Sequence, residues 1–276
     1  MNNKISIIIP AYNAQKTIER CIKSISNAEV EIIVVIDGST DETLKICNNL
    51  KKDISNLRII QQENKGAYEA RKVGTKNANG NYIMFLDSDD VYETNIIERM
   101  EELINKYNNP DIIRFRYRKI PDGYEQYKYN DKDEIKIEKQ DFISKVYPMF
   151  IEGYMLNSLW TNCIKKELIQ NINFDNEDIR YGEDLLVNYQ LFSKANNVVF
   201  VNDILYNYIY NPDSSTSDRT IKTLLKHLED SIFVYSLLYQ YIAKWNINTE
   251  ENVKKVNNRL KKETNTIIKL IKNKIV

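Results

Sequence analysis

Ile5-Ser6-Ile7-Ile8-Ile9, closed by Pro10, is an unbroken β-branched run, and Ile32-Ile33-Val34-Val35-Ile36, closed by Asp37-Gly38, repeats it. Runs of this kind read as strands buried on both faces, the pattern of a parallel sheet. Between them Asn13 offers a helix cap, and Ile18, Cys21, Ile22 and Ile25 recur at helical spacing. After the second run, Ser39 with Glu42 forms an S-x-x-E capping box for another helix. Leu57 to Ile60 reads as a third strand and Gly66 to Ala78 as a third helix. Asn79-Gly80 then turns the chain into a fourth strand, Tyr82-Ile83-Met84-Phe85-Leu86. This rhythm predicts βαβ units and an α/β fold, with a mostly parallel sheet flanked by helices.

Farther along the chain, Asp111 to Tyr117 reads as another strand, and the polar, tyrosine-rich stretch 121–137 as a hairpin or loop. Helical patterns return at 139–151 and 182–194, and Val198 to Val201 and Leu205 to Tyr210 read as short strands. They lead into the loop Asn211-Pro212-Asp213-Ser214-Ser215, and from about 219 onward the chain reads as two helices. The expected organisation is therefore one domain over 1–218 and a C-terminal helical extension over 219–276.

Composition narrows the chemistry. Lys plus Arg (39) equal Asp plus Glu (39) in the 276 residues. A protein built to grip nucleic acid carries a basic excess, so no nucleic-acid partner is expected. No apolar run approaches the ~20 residues of a membrane-spanning helix, and the amino terminus shows no signal-peptide pattern. Cys21, Cys47 and Cys163 form no C-x-x-C pair, which fits a reducing compartment. A cytoplasmic location is expected. The single histidine, His227, leaves acid–base chemistry to carboxylates. With 7 glycines, Gly-rich loops are not the main ligand cradle; the 19 tyrosines suit sugar rings and half-buried strands equally well.

The acidic residues fall where an open parallel sheet binds ligands, outside the carboxyl ends of its strands. Tyr12-Asn13 follows the first strand, Asp37-Gly38-Ser39 the second, and Asp87-Ser88-Asp89-Asp90 the fourth. Aspartates crowded at one edge repel one another unless a cation or donor-rich ligand is present. Hard carboxylate oxygens without His or Cys suit Mg2+ or Mn2+, with phosphate oxygens completing the shell. Asp87, Asp89 and Glu98 also mimic a calcium loop, but Tyr92 stands where that loop needs Gly. No G-x-G-x-x-G or Walker pattern is present, so dinucleotide and P-loop readings fail.

Taken in order, Ser6-Ile7-Ile8-Ile9-Pro10-Ala11-Tyr12-Asn13, Val35-Ile36-Asp37-Gly38-Ser39-Thr40-Asp41, Asn64-Lys65-Gly66 with Ala70-Arg71, and Ala78-Asn79-Gly80-Asn81-Tyr82-Ile83 leading to Leu86-Asp87-Ser88-Asp89-Asp90 closely resemble the family 2 glycosyltransferases, which have the GT-A fold. The resemblance is specific over roughly residues 4–95 and looser through Tyr210, where Trp160, Tyr181-Gly182-Glu183-Asp184 and Leu205-Tyr206 carry it. It implies a nucleotide-sugar-binding half over 1–120 and an acceptor-binding half over 121–218. Pro10, Ala11 and Tyr12 would lie against the nucleoside, with Tyr12 near the base, and Asp37 would accept the N3–H of a uracil. Arg71 would lie near the base or phosphates. In the Asp87-Ser88-Asp89 motif, Asp89 would bind the metal and Asp87 the ribose or a metal-bound water, with Asp90 behind them.

The implied reaction is inverting transfer of a sugar from a UDP-sugar to a hydroxyl of a glycan or lipid-linked glycan, in bacterial surface-polysaccharide synthesis. Asp184 would be the general base, and Glu183 and Trp160 acceptor-site or orienting residues. The chain departs from the family at Ile36, where a second aspartate is frequent, at Lys72, where Asn is common, and at Asn162, where Lys is frequent. In residues 251–276, eight Lys or Arg from Lys254 to Lys274 face Glu251 and Glu263, beside Val253, Val256, Leu260, Ile267 and Ile271. Such a basic amphipathic helix packs on its own domain, pairs with a second subunit, or lies on the inner face of the cell membrane. Two other classes stay open: a sugar-nucleotide nucleotidyltransferase, which usually carries a Gly-rich loop where Ala11-Tyr12-Asn13 stands, and a non-catalytic glycan- or nucleotide-binding relative.

Overall fold

The computed structural model describes residues 5–25, 29–153, 155–172, 179–212 and 218–275. The described residues group into two compact units. The first draws on Met1–Glu138, Trp160–Phe174 and Ala195–Tyr210, and the second on Lys139–Leu159, Asp175–Lys194 and Asn211–Val276.

In the first unit β1 (Ile5–Ala11), α1 (Ile18–Lys23), β2 (Glu31–Asp37), α2 (Thr43–Leu50), β3 (Leu57–Gln62), α3 (Ala67–Asn77) and β4 (Tyr82–Phe85) follow the expected alternation. Then come β5 (Val91–Tyr92), α4 (Ile96–Lys106), β6 (Ile112–Ile120) and β7 (Glu134–Glu138). The second unit begins with α5 (Phe142–Lys145) and α6 (Tyr147–Glu152); β8 (Asn162–Lys165) and α7 (Lys166–Gln170) return to the first. After α8 (Glu183–Lys194) in the second unit, β9 (Asn197–Ile209) completes the sheet, and α9 (Ile221–Lys244) and α10 (Glu250–Ile275) complete the helical unit.

The sheet runs β3-β2-β1-β4-β8-β6-β9-β5, with β7 on β9. Its first four strands are parallel, and every residue of β1 is buried. Beyond β4 the sheet is mixed: β8 is antiparallel to β4 and β6, whereas β6 and β9 are parallel. One face is filled by Ile7, Ile9, Val34 and Met84 with Cys21, Met100 and Leu103 from the helices. On the other, α3 lies so close to β1 that a Cβ on Gly74 would sit 2.4 Å from Ile8 Cγ2, so only glycine fits there. All three cysteines are buried and free, and burial raises each thiol's pKa.

Several local expectations are corrected. Asn13 does not cap α1; it takes φ 47°, and its Oδ1 accepts from Thr40 N at 2.9 Å. Ser39 does not open α2 either, since its hydroxyl accepts from Asn13 N and donates to Ala11 O. Short polar side chains serve whichever backbone groups lie nearest, and here those belong to the neighbouring strand's loop. The helix expected over 139–151 splits at Val146, because Pro148 in the first turn of α6 has no N–H to extend α5. Val198 to Tyr210 is not two strands. β9 is continuous from Asn197 to Ile209, its first half held by β7. The loop expected at Asn211–Ser215 falls partly on 213–217, outside the described residues.

Within the second unit α10 packs on α9. Glu263 accepts from Ser231 at 2.9 Å and Tyr235 at 3.1 Å, and Val256 and Ile267 are buried. Arg259 donates to the carbonyls of Phe150 and Ile151. Trp245 stacks on Tyr147, with ring centroids 4.4 Å apart.

Candidate active site residues

Strands β1, β2 and β3 build the sheet in one direction, and β4 then crosses to the far side of β1. The order reverses between β1 and β4, and such a switch point is where open α/β sheets bind ligands. The two strands part there. Their last paired residues are Ile8 and Phe85, and Leu86 N still donates to Ile8 O. Residues two apart in a strand direct their backbone groups to the same side, so Pro10 lacks its N–H where β4 has turned away and no ladder bond is lost. Pro10 and Ala11 are buried at this edge, and Tyr12 emerges from it with 52% of its surface exposed.

The acidic loop leaves β4 at the same edge. Asp87 Oδ1 accepts from Arg71 Nη2 at 2.8 Å, pairing a half-buried carboxylate with a buried guanidinium. Asp90 turns inward. Its Oδ2 accepts from the Tyr206 hydroxyl at 2.6 Å and its Oδ1 from Ile209 N at 2.7 Å. Burial, reinforced by the charge on Asp87, pushes the Asp90 pKa up to about 8. Ser88 and Asp89 between them are half-buried, and the Asp89 carbonyl accepts from Arg20 Nη2 at 2.7 Å. The aspartates thus divide their labour, with Asp90 bolting the loop to β9 while Asp87 and Asp89 stay toward the surface.

Asp37 closes β2 and is 3% exposed. Its Oδ1 accepts from Gln62 Nε2 and Lys65 N, and its Oδ2 from Gly66 N, each at 2.8 Å. A carboxylate offers about four acceptor positions, so three are spent anchoring the loop that opens α3. Gly38 makes that approach feasible: it has φ +68°, and a Cβ would meet Asn64 N at 2.6 Å.

An aromatic cluster adjoins Asp90. Trp160 stacks on Tyr206 at 4.2 Å and meets Tyr117 edge-on at 4.8 Å. Tyr208 lies 6.2 Å from Trp160. Asn162, two residues on, accepts from the buried Arg114 at 2.7 Å, a bond that a lysine in its place could not make.

The donor set of the acidic loop suits a divalent cation only in company. Among the described residues no three His, Cys, Asp or Glu side chains form a ready-made cage. Mg2+ and Mn2+ bind through one or two carboxylates plus substrate phosphates and water. Asp89, with Asp87 beside it, fits a cation that arrives with a diphosphate.

The second unit holds the other two acidic candidates. Glu183 and Asp184 open α8 after Gly182, where φ is +85°. Asp184 Oδ2 accepts from Leu159 N at 2.8 Å. One turn on, the buried Asn188 donates to Leu156 O at 2.7 Å and Ser158 O at 3.1 Å. The segment 156–159 is therefore bound to α8 by two side chains on one helical face. Ahead of α8, Arg180 N and Tyr181 N donate to the fully buried Asp230, which pairs with Lys226.

With this arrangement in place, comparison with known proteins is decisive. The family model described as glycosyl transferase family 2 matches residues 6–160. The chain belongs to that family. A curated relative of this family 2 chain, glycosyltransferase GlyG of Streptococcus pneumoniae serotype 4, is 31% identical over 75% of this chain and 71% of its own. Glycosyltransferase GlyA of the same organism is 30% identical over 75% of this chain, which spans 31% of GlyA's length. Among solved structures, S. aureus TarS 1–349 in complex with UDP superposes with a TM-score of 0.64 at 20% identity, covering 87% of this chain and 70% of that 1–349 chain. That likeness shows the fold, which is the expected GT-A fold with C-terminal helices.

Sequence reasoning did not single out Tyr117 and Tyr208, which the fold gathers around Trp160. A signal was present in the spacing of Tyr206, Tyr208 and Tyr210 at every second position, which puts them on one side of a strand.

Proposed function

We propose that this family 2 protein transfers a sugar from a UDP-type nucleotide-sugar to a hydroxyl of a growing glycan or lipid-linked glycan, inverting the anomeric carbon, in bacterial surface-polysaccharide synthesis. The observation that carries this reading is the Asp87-Ser88-Asp89 loop at the sheet's switch point, with Arg71 bound to Asp87 and Tyr12 exposed beside it. TarS, which shares the fold, binds UDP in its crystal structure, and this supports a uridine donor here.

In this reading the Tyr12 ring lies against the base, with the backbone of Pro10 and Ala11 beneath the nucleoside. Asp37 uses its remaining acceptor position on the uracil N3–H. Asp87 and Ser88 face the ribose, and Arg71 offsets negative charge around Asp87 and the diphosphate. Asp89 holds Mn2+ or Mg2+ together with the phosphates. When bound, the cation supplies Lewis-acid stabilisation of the charge leaving on the β-phosphate. The acceptor oxygen forms a bond to the anomeric carbon while the bond to the phosphate oxygen breaks, and the acceptor proton passes to Asp184. Glu183 and Trp160 orient the acceptor. A general base of this kind contributes ~10²–10⁴-fold in rate.

No described helix is long and apolar enough to cross a membrane. We assign the exposed lysines of α10, among them Lys254, Lys261, Lys262, Lys269 and Lys272, to contact with an anionic membrane face or a second subunit.

The test is thermal unfolding with UDP, GDP, CDP and dTDP, each with and without Mn2+. A ligand at 100 times its dissociation constant stabilises by about 2.7 kcal/mol. A Mn2+-dependent shift selective for UDP is expected. Absence of any nucleotide shift overturns the donor reading.

A further inference from the structure

The aromatic cluster does not end at Trp160. β6 and β9 are in register with Tyr117 beside Tyr206 and Lys119 beside Tyr208, so these four side chains share one face of the sheet. Residues 117–126 form a hairpin, with Lys119 N donating to Tyr124 O and Gln126 N to Tyr117 O. The hairpin brings the Tyr124 ring to 6.2 Å from Tyr117. From the acidic loop outward, Tyr206 is fully buried, Trp160, Tyr117 and Tyr208 are half-buried, and Tyr124 is 41% exposed. The inner end of this file touches Asp90 directly through the Tyr206 hydroxyl.

At the outer end stands a cation. Lys119 Nζ lies 5.4 Å from the Tyr124 ring centroid and 5.8 Å from that of Tyr208. Among the described residues it forms no ion pair, whereas its neighbour Arg118 is paired with Glu93. A lysine held over two rings has lost freedom of movement before any ligand arrives. Aromatic faces beside such a charge suit a chain of sugar rings that also carries negative groups.

Building on the proposed transfer reaction, we infer that this file is a binding track for the acceptor glycan, and that Lys119 selects acceptors bearing an anionic group, carboxylate or phosphate, on a sugar beyond the reacting one. Tyr117, Trp160 and Tyr208 hold successive ring faces, and Tyr124 closes the outer position. Lys119 is then a specificity-determining residue of the acceptor side.

The track is testable with defined probes. The chain has two tryptophans, so Trp245→Phe leaves Trp160 as the sole indole reporter; calorimetry on the unmodified protein guards against a folding defect in that variant. Three probes are titrated: neutral chitotetraose, the carboxylate-bearing hyaluronan tetrasaccharide, and a phosphorylated mannopentaose. At low salt at least one anionic probe binds about tenfold or more tightly than chitotetraose, and that advantage falls as salt screens the charge. Lys119→Glu abolishes the preference, while Tyr124→Ala weakens all three probes several-fold. Which anionic probe is favoured separates carboxylate from phosphate as the group read. The inference is overturned if no probe changes Trp160 emission or gives heat, or if Lys119→Glu leaves the preference intact. UDP-induced stabilisation of the unmodified protein is read in parallel. Its absence sinks the donor reading, and its presence without oligosaccharide binding sinks only the track.

Discussion

The two halves of the sheet solve different problems with different chemistry. On the β3-β2-β1-β4 side, strands are short, parallel and wholly apolar at the centre, and the polar groups collect at their carboxyl ends. There Asp37 is bound by backbone N–H groups and Asp87 by a guanidinium. On the β8-β6-β9 side, strands are mixed in direction, and the face next to the acidic loop is aromatic rather than charged. A phosphate-rich donor needs fixed charges and oriented dipoles, whereas sugar rings need flat apolar surfaces with few charges. Under the proposed reaction, donor and acceptor recognition are divided between the halves, with Asp90 linking the acidic loop to Tyr206 and Ile209 of β9.

The largest effects should follow removal of the proposed reacting carboxylates. Asp89→Asn and Asp184→Asn are each expected to lower transfer by about 10²–10⁴-fold while circular dichroism and melting stay close to the unmodified protein. Steady-state transfer assays decide it, and a loss of less than tenfold in either variant would remove that residue from the chemistry.

Next in size is the ion pair on the parallel side. Arg71→Met leaves a half-buried Asp87 without its guanidinium, and breaking such a pair costs about 3 kcal/mol, at the low end because Asp87 keeps some contact with water. Denaturant unfolding measures it. A cost below about 1 kcal/mol would mean the pair serves the ligand and not the fold.

On the mixed side the matching interaction is Glu134 of β7. It accepts from Tyr107 at 2.7 Å and pairs with Arg99 at 3.0 Å and Lys106 at 2.9 Å, which hold its pKa down to about 2. The folded value lies below the ordinary one, so this stabilisation is present above about pH 4.5 and drains away as pH falls toward 2. Glu134→Gln should cost about 1–2 kcal/mol near neutrality, with surface screening keeping it modest. It should also flatten the acid limb of the stability curve between those values. An unchanged acid limb would contradict the assignment.

The smallest effect is expected where the halves meet. Tyr206→Phe removes one hydrogen bond to Asp90 and keeps the ring against Trp160. About 1 kcal/mol of stability should be lost, and a larger effect on acceptor than on donor KM would place Tyr206 on the aromatic side of the divide.

Legibility follows the same divide. β1, β2 and β4 could be read because each carries a run of buried apolar residues that ends at or within a residue or two of Pro10, Asp37-Gly38 or Asp87, and those signals act within a few residues. Asn13 and Ser39 misled because good local capping chemistry lost to a partner across the sheet edge. The reading of 121–137 as a hairpin or loop left β7 unplaced: Glu134-Ile135-Lys136-Ile137-Glu138 alternates as a strand does, but its partner β9 lies far along the chain. Asp184 could be placed at a helix start, but its bond to Leu159 N depends on where a separate segment comes to rest.

The sequence by itself determined the parallel α/β core, the placing of Asp37, Asp87 and Asp89 at strand ends, and membership of family 2, because burial patterns and strand punctuation are properties of neighbouring residues. Only the tertiary structure decided that Arg71 neutralises Asp87, that Asp90 is spent on holding β9, and that Tyr117, Trp160, Tyr206 and Tyr208 share a face. Those contacts join segments far apart in the chain, and no local propensity encodes them. They form when packing the whole sheet offsets the entropy of closing the intervening loops.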